Sequence, residues 1–221
     1  MSYPALLDAA WEQHLQHPKD GPTVVSTFAG CGGSSLGYSM AGFRELLAVE
    51  WDKHAAHILR RNFPELPVFE GDIARITSAH LDLDDGELDV LDGSPPCQGF
   101  STMGKRMVDD PRNQLFQQFV RLLRMWQPKM FVMENVAGMV KGNMKPLYRE
   151  VMEELTAQGY RVQARLLDAS YLGVPQARVR LVFIGVRADL NRDPVFPKPM
   201  HPRFTVRDAI SGIADDELGL L

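Results

Sequence analysis

Residues 23–37 read Thr-Val-Val-Ser-Thr-Phe-Ala-Gly-Cys-Gly-Gly-Ser-Ser-Leu-Gly. The run Thr23–Phe28 is apolar and β-branched, as a buried strand requires. Phe28–Gly37 then supplies glycines for a tight turn and a close backbone approach to a ligand, and Ser34–Ala41 has the length and spacing of a helix. A glycine-rich turn between a strand and a helix is a nucleotide-type site. The pattern is not the GxGxxG of dinucleotide domains, and it points to a nucleoside-type cofactor only together with the groups at the next two strand ends, Glu50-Trp51 and Asp72.

Working outward, strand-like runs alternate with helix-like segments. The further strands are expected at Leu46–Glu50, Val68–Glu70, Leu88–Asp92, Met130–Glu134, Tyr160–Leu167 and Arg180–Val186. The further helices are expected at Lys53–Asn62, Asn113–Trp126 and Lys145–Gln158. In Lys145–Gln158, Leu147, Val151, Met152 and Leu155 recur at helical spacing. This alternation predicts an α/β fold with a doubly wound, mostly parallel sheet. Ligands of such folds sit at the carboxyl ends of the strands, near the switch in strand order. An amphipathic helix is expected at Pro4–His17, with Leu6, Leu7, Ala10, Trp11 and Leu15 as its apolar stripe.

The chain has 221 residues, 45% hydrophobic and 24% charged, which suits one α/β domain. Its net charge of -4 argues against a stand-alone nucleic-acid binder. Local basic clusters run the other way: Lys105-Arg106, Arg121 with Arg124, and Arg178 with Arg180. No apolar run is long enough to span a membrane. Cys31 and Cys97 form no CxxC pair, so no metal site is expected, and their sparse use fits a reducing, cytoplasmic setting.

A second stretch carries chemistry: Gly93-Ser94-Pro95-Pro96-Cys97-Gln98-Gly99-Phe100-Ser101. Two prolines stiffen the backbone around a single thiol. Gly93 and Gly99 leave room for a close ligand. A cysteine held this way suits a nucleophile, although a lone loop cysteine is as readily inert. Glu50-Trp51 and Asp72-Ile73 lie at the ends of the second and third strands. The first carboxylate can take both ribose hydroxyls and the second an exocyclic amine, with Trp51 against a base. Glu134, taken alone, reads as a strand-end acid paired with an arginine.

Together these stretches resemble the C5-cytosine DNA methyltransferase family, from about Thr23 to Gly185 and in the family's order. Phe28-Ala29-Gly30-Cys31-Gly32-Gly33 resembles the motif that holds S-adenosylmethionine, continuing through Ser34 and Leu36. Ser94-Pro95-Pro96-Cys97-Gln98 is similar to the catalytic motif. Asp110-Pro111-Arg112-Asn113-Gln114-Leu115-Phe116 resembles the next motif, where Leu115 would touch the cofactor. Glu134-Asn135-Val136 and Gln176-Ala177-Arg178-Val179-Arg180 resemble the ENV and QxRxR motifs.

The resemblance implies a Rossmann-like S-adenosylmethionine-dependent methyltransferase fold whose last strand is antiparallel. It implies transfer of a methyl group from S-adenosylmethionine to C5 of cytosine in DNA. The catalytic residues would be Cys97, Glu134, Arg178 and Arg180. The cofactor contacts would be Phe28, Ala29, Gly30, Cys31, Gly33, Ser34, Leu36, Glu50, Trp51, Asp72, Ile73, Pro95 and Leu115. Double-stranded DNA with a flipped cytosine would be the partner, and a bacterial or phage modification enzyme the setting.

Residues 1–22 are read as an N-terminal helix and linker, 23–190 as the catalytic domain and 191–221 as a tail. Phe204-Thr205-Val206-Arg207-Asp208-Ala209-Ile210 resembles the segment leading into the family's target-recognition domain, and no such domain is expected within residues 211–221. The chain is therefore expected to be one half of a split enzyme whose second subunit reads DNA, a fragment of a longer protein, or a domain acting alone. A binding subunit without chemistry is the reading from another class.

Overall fold

The computed structural model describes residues 3–15, 20–81, 83, 87–96, 111–200 and 203–210. Seven strands form one sheet: β1 (Thr23–Thr27), β2 (Arg44–Glu50), β3 (Val68–Glu70), β4 (Val90–Gly93), β5 (Met130–Val136), β6 (Tyr160–Asp168) and β7 (Val179–Arg187). Their spatial order is β3-β2-β1-β4-β5-β7-β6. β1 pairs in parallel with both β2 and β4, β2 with β3, and β4 with β5. β7 runs antiparallel to β5 and β6. The expected doubly wound sheet with an antiparallel last strand is present, and the strand order reverses between β1 and β4.

The sequence accounts for this arrangement locally. Every residue of β1 is buried, as a central strand covered on both faces must be. At its lower edge Thr23 N–H donates to Asp89 Oδ2 at 2.7 Å and Lys129 Nζ lies 2.7 Å from Asp89 Oδ1, which staples the starts of β1, β4 and β5. Helices α2 (Gly33–Met40), α3 (Lys53–Asn62), α4 (Pro111–Trp126) and α5 (Lys145–Ala157) connect the strands. α3 starts where it does because the Asp52 side chain accepts from the His54 and Ala55 N–H groups. Phe119, Val120, Leu122 and Leu123 of α4 and Leu147, Val151 and Leu155 of α5 pack into one core with Leu91, Phe131, Met133 and Phe183 of the sheet.

Helix α1 (Tyr3–Leu15) occupies the described part of the helix expected at Pro4–His17, and its stripe is only partly packed: Leu7 and Trp11 are 44% and 46% exposed. Tyr3 stacks against Phe204, ring centres 5.0 Å apart, just before the short helix α6 (Val206–Ile210). Among the described residues no helix is long and apolar enough to cross a membrane.

Candidate active site

The end of β1 enters a loop whose backbone only small or strained residues accept. Gly30 and Gly32 have φ of 57° and 97°, and Phe28 sits at φ 58° despite its side chain. Glu50, at the end of β2, holds this loop. Its Oε2 accepts from the Gly30 N–H at 2.7 Å and its Oε1 from the Asp52 N–H at 2.7 Å. Each oxygen keeps a second lone pair for a ligand hydroxyl. Asp72 caps the single turn Ile73–Arg75, accepting from the Ala74 N–H at 2.9 Å.

These groups border a cleft of about 660 Å³ at the point where the strand order reverses, a volume suited to a nucleoside-sized ligand. Phe28, Glu50, Trp51, Asp72, Ile73 and Leu115 lie in its wall. Trp51 is 76% exposed, a ring open for stacking. The remaining expected cofactor residues are placed differently. Ala29 packs with Ala48 and Leu59, and the Gly30 N–H is taken by Glu50. Cys31, Gly33, Ser34 and Leu36 are exposed around the start of α2, and Pro95 is buried.

Asn135, itself buried, donates from Nδ2 to the Pro95 carbonyl at 3.0 Å, and its Oδ1 accepts from the Val136 N–H. The ENV strand thereby anchors the loop that leads to Cys97, which lies outside the described residues with Gln98–Asp110. The neighbouring Pro96 lines the cleft. Glu134 and Arg180 come together across the β5–β7 pairing, Oε1 to Nε 2.6 Å. Arg178 is an exposed residue just before β7, its carbonyl accepting from the Ala169 N–H at 2.9 Å.

Two expectations need correction. Gly93 is small because the protein itself fills the space: a Cβ there would lie 2.3 Å from Thr27 Oγ1 and 2.9 Å from the Phe119 ring. The basic cluster of Arg121 with Arg124 is engaged within the protein rather than held for an anionic partner. Arg121 bonds the Ile73 and Ile76 carbonyls, and Arg124 pairs with Glu154 at 2.8 Å.

At the end of β4 lies a polar pair that sequence reasoning missed. Tyr38 of α2 donates to Asp92 Oδ1 at 3.1 Å. Burial raises the Asp92 carboxyl to about 7, with Glu45 and Glu134 adding to the rise, while hydrogen bonds from Tyr38 and Ser34 oppose it. Burial also raises the Tyr38 hydroxyl, and the Asp92 charge beside it adds to that. The signal in the sequence was an acid inside an otherwise apolar strand, Val90-Leu91-Asp92.

A sequence profile of C-5 cytosine-specific DNA methylases matches residues 23–217. The chain belongs to this family. It is 43% identical over 194 residues to the Type II methyltransferase M1.HphI of Haemophilus parahaemolyticus, covering 85% of this chain and 52% of that protein. It is 38% identical over 218 residues to the Type II methyltransferase M.AquIA of Picosynechococcus, covering 85% of this chain and 87% of that one. A solved prophage-encoded protein of E. coli, assigned as a DNA modification methyltransferase, superposes with a TM-score of 0.74 at 33% identity, over 88% of this chain and 56% of that one. The chain spans about half the length of M1.HphI and of several other curated relatives.

Proposed function

We propose that this chain carries the catalytic half of a DNA (cytosine-5-)-methyltransferase of the restriction-modification type, with S-adenosylmethionine as methyl donor. The observation that carries the reading is the cleft at the strand-order reversal. It joins Glu50, Trp51, Asp72 and Leu115 to Pro96, the residue before Cys97. The donor set fits the cofactor: a carboxylate for the ribose diol, a carboxylate for the adenine amine, an open indole and apolar Phe28, Ile73 and Leu115. When bound there, the cofactor supplies an electrophilic methyl group.

The chain's own residues then act on a cytosine taken out of the stack. The Cys97 thiolate adds to C6, which makes C5 nucleophilic. Glu134 holds the exocyclic amine and supports protonation at N3, and Arg180 orients the Glu134 carboxylate while facing the base. After C5 takes the methyl group, its proton leaves to a base and the bond between C6 and Cys97 breaks, restoring the ring. Arg178, exposed just before β7, is assigned to the DNA as a second basic contact. Target reading is assigned to the part of the relatives that this chain does not span, supplied on the same or a second polypeptide.

The test is methyl transfer to double-stranded DNA with and without Cys97→Ala, alongside calorimetric titration of S-adenosylmethionine. The reading expects cofactor binding in both proteins and transfer only with Cys97. A chain that binds no S-adenosylmethionine would overturn it.

A further inference from the structure

Arg121 lies on α4, three residues past Gln118. Its guanidinium makes three hydrogen bonds. Nη2 donates to the Ile73 carbonyl at 2.9 Å, Nη1 to the Ile76 carbonyl at 2.8 Å and Nε to Gln118 Oε1 at 2.5 Å. The turn between those carbonyls is the one capped by Asp72. It is therefore clamped from both ends, by a carboxylate on its Ala74 N–H and a guanidinium on the Ile73 and Ile76 carbonyls. Arginine has only donors, so the Gln118 atom facing it is the amide oxygen, which fixes the flip of that amide. The Gln118 NH₂ is left to point elsewhere. Gln118, Asp72, Ile73 and Ala74 share the cleft wall.

We propose that Arg121 is the positioning residue of a purine-reading wall, holding Asp72 as an acceptor and the Gln118 NH₂ as a donor toward the adenine of the cofactor. The inference rests on the cofactor reading above and adds its specificity. Adenine presents both partners this wall needs, an exocyclic amine that donates and ring nitrogens that accept. A 6-oxo purine reverses the donor and acceptor at the same edge, so the wall should reject it. Lysine cannot replace the arginine, because one ammonium cannot span two carbonyls and the Gln118 oxygen in fixed geometry. Burial works to lower the Arg121 pKa and the nearby Asp72 charge to raise it, as expected of a guanidinium enclosed in the wall.

The experiment is calorimetric titration of the full chain with S-adenosylhomocysteine and S-inosylhomocysteine, for wild type, Arg121→Met, Arg121→Lys and Gln118→Leu. Wild type is expected to prefer the adenine compound by about tenfold or more, the worth of one good hydrogen bond. Arg121→Met and Arg121→Lys should both weaken S-adenosylhomocysteine and bring the preference toward parity. Gln118→Leu, which leaves the Arg121 bonds to the turn in place, should lose part of it. Should Arg121→Met not fold, Arg121→Lys and Gln118→Leu still decide. Variants that melt at lower temperature yet keep wild-type affinity and preference would make Arg121 merely structural and overturn the inference. A wild-type chain that binds neither compound would overturn the cofactor reading itself, and the inference with it.

Discussion

Arg180 Nε lies 2.6 Å from Glu134 Oε1, with the two side chains 29% and 37% exposed. The pair joins the second residue of β7 to the fifth of β5, so the antiparallel pairing at the end of the sheet is what assembles it. A bare surface ion pair contributes little to stability. Here its consequence is orientation, because the arginine engages one carboxylate oxygen and so sets the direction of the other. Glu134→Gln should keep cofactor affinity and lower the rate of methyl transfer by about 10²–10⁴-fold, the usual weight of a positioned acid or base. Titration calorimetry and a labelled-methyl assay together check this. A parallel loss of cofactor affinity would place Glu134 in the cofactor site instead.

Asn135 is buried and its amide spans the gap between β5 and the Pro95 carbonyl. Asn135→Ala removes the donor and leaves that carbonyl unpaired, at a cost of about 1–3 kcal/mol. Chemical denaturation measures the stability loss. The same variant should slow methyl transfer more than it weakens cofactor binding, because the strand that bears Glu134 no longer holds the loop leading to Cys97.

The pH dependence of stability should carry the mark of Asp92. Its carboxyl is raised to about 7 in the fold, chiefly by burial, so the folded state binds a proton that the unfolded chain has already lost above about pH 4. The contribution of Asp92 is complete below that pH and falls away as pH rises through about 7. Asp92→Asn keeps an acceptor for Tyr38 without the charge. Denaturation between pH 4 and 8 should show a flatter profile for the variant and greater relative stability at the upper end. The same slope in both proteins would remove Asp92 from the account.

Gly185 faces Phe131 across the β5–β7 pairing, and a Cβ there would come within 2.0 Å of the Phe131 ring. The ring cannot move freely, since it also packs against Phe119 and Tyr160 at 6.0 and 5.2 Å between centres. Gly185→Ala should therefore destabilise by about 1–3 kcal/mol, read from the denaturation midpoint. Phe131→Leu in the same background should recover part of that loss.

The fold was legible because the strands have the composition that burial demands. Val68–Glu70 and Lys53–Asn62 match their expected limits, the latter because Asp52 is a strong cap. Strand ends moved where pairing, not composition, decides them: β5 runs on to Val136 because β7 supplies partners as far as Arg180. At the site, residues that line the cleft could be read in sequence, as with Glu50, Trp51 and Asp72. Those that act through backbone carbonyls could not. Arg121 and Asn135 make their decisive bonds to carbonyls of residues 40 or more positions away, and no local pattern encodes such a reach. Gly93 was misread for a related reason, since Thr27 and Phe119, which crowd it, come from elsewhere in the chain.

The central claim is that Cys97 attacks cytosine while the β1–β4 cleft holds the methyl donor. It is tested most directly by incubating the protein and S-adenosylmethionine with double-stranded DNA containing 5-fluorocytosine. Fluorine at C5 blocks the final elimination, so the account predicts a denaturation-resistant protein–DNA adduct that maps to Cys97 and requires the cofactor. An adduct that persists in Cys97→Ala, or no adduct from cofactor-bound protein once the part that reads the target is supplied with it, would contradict it.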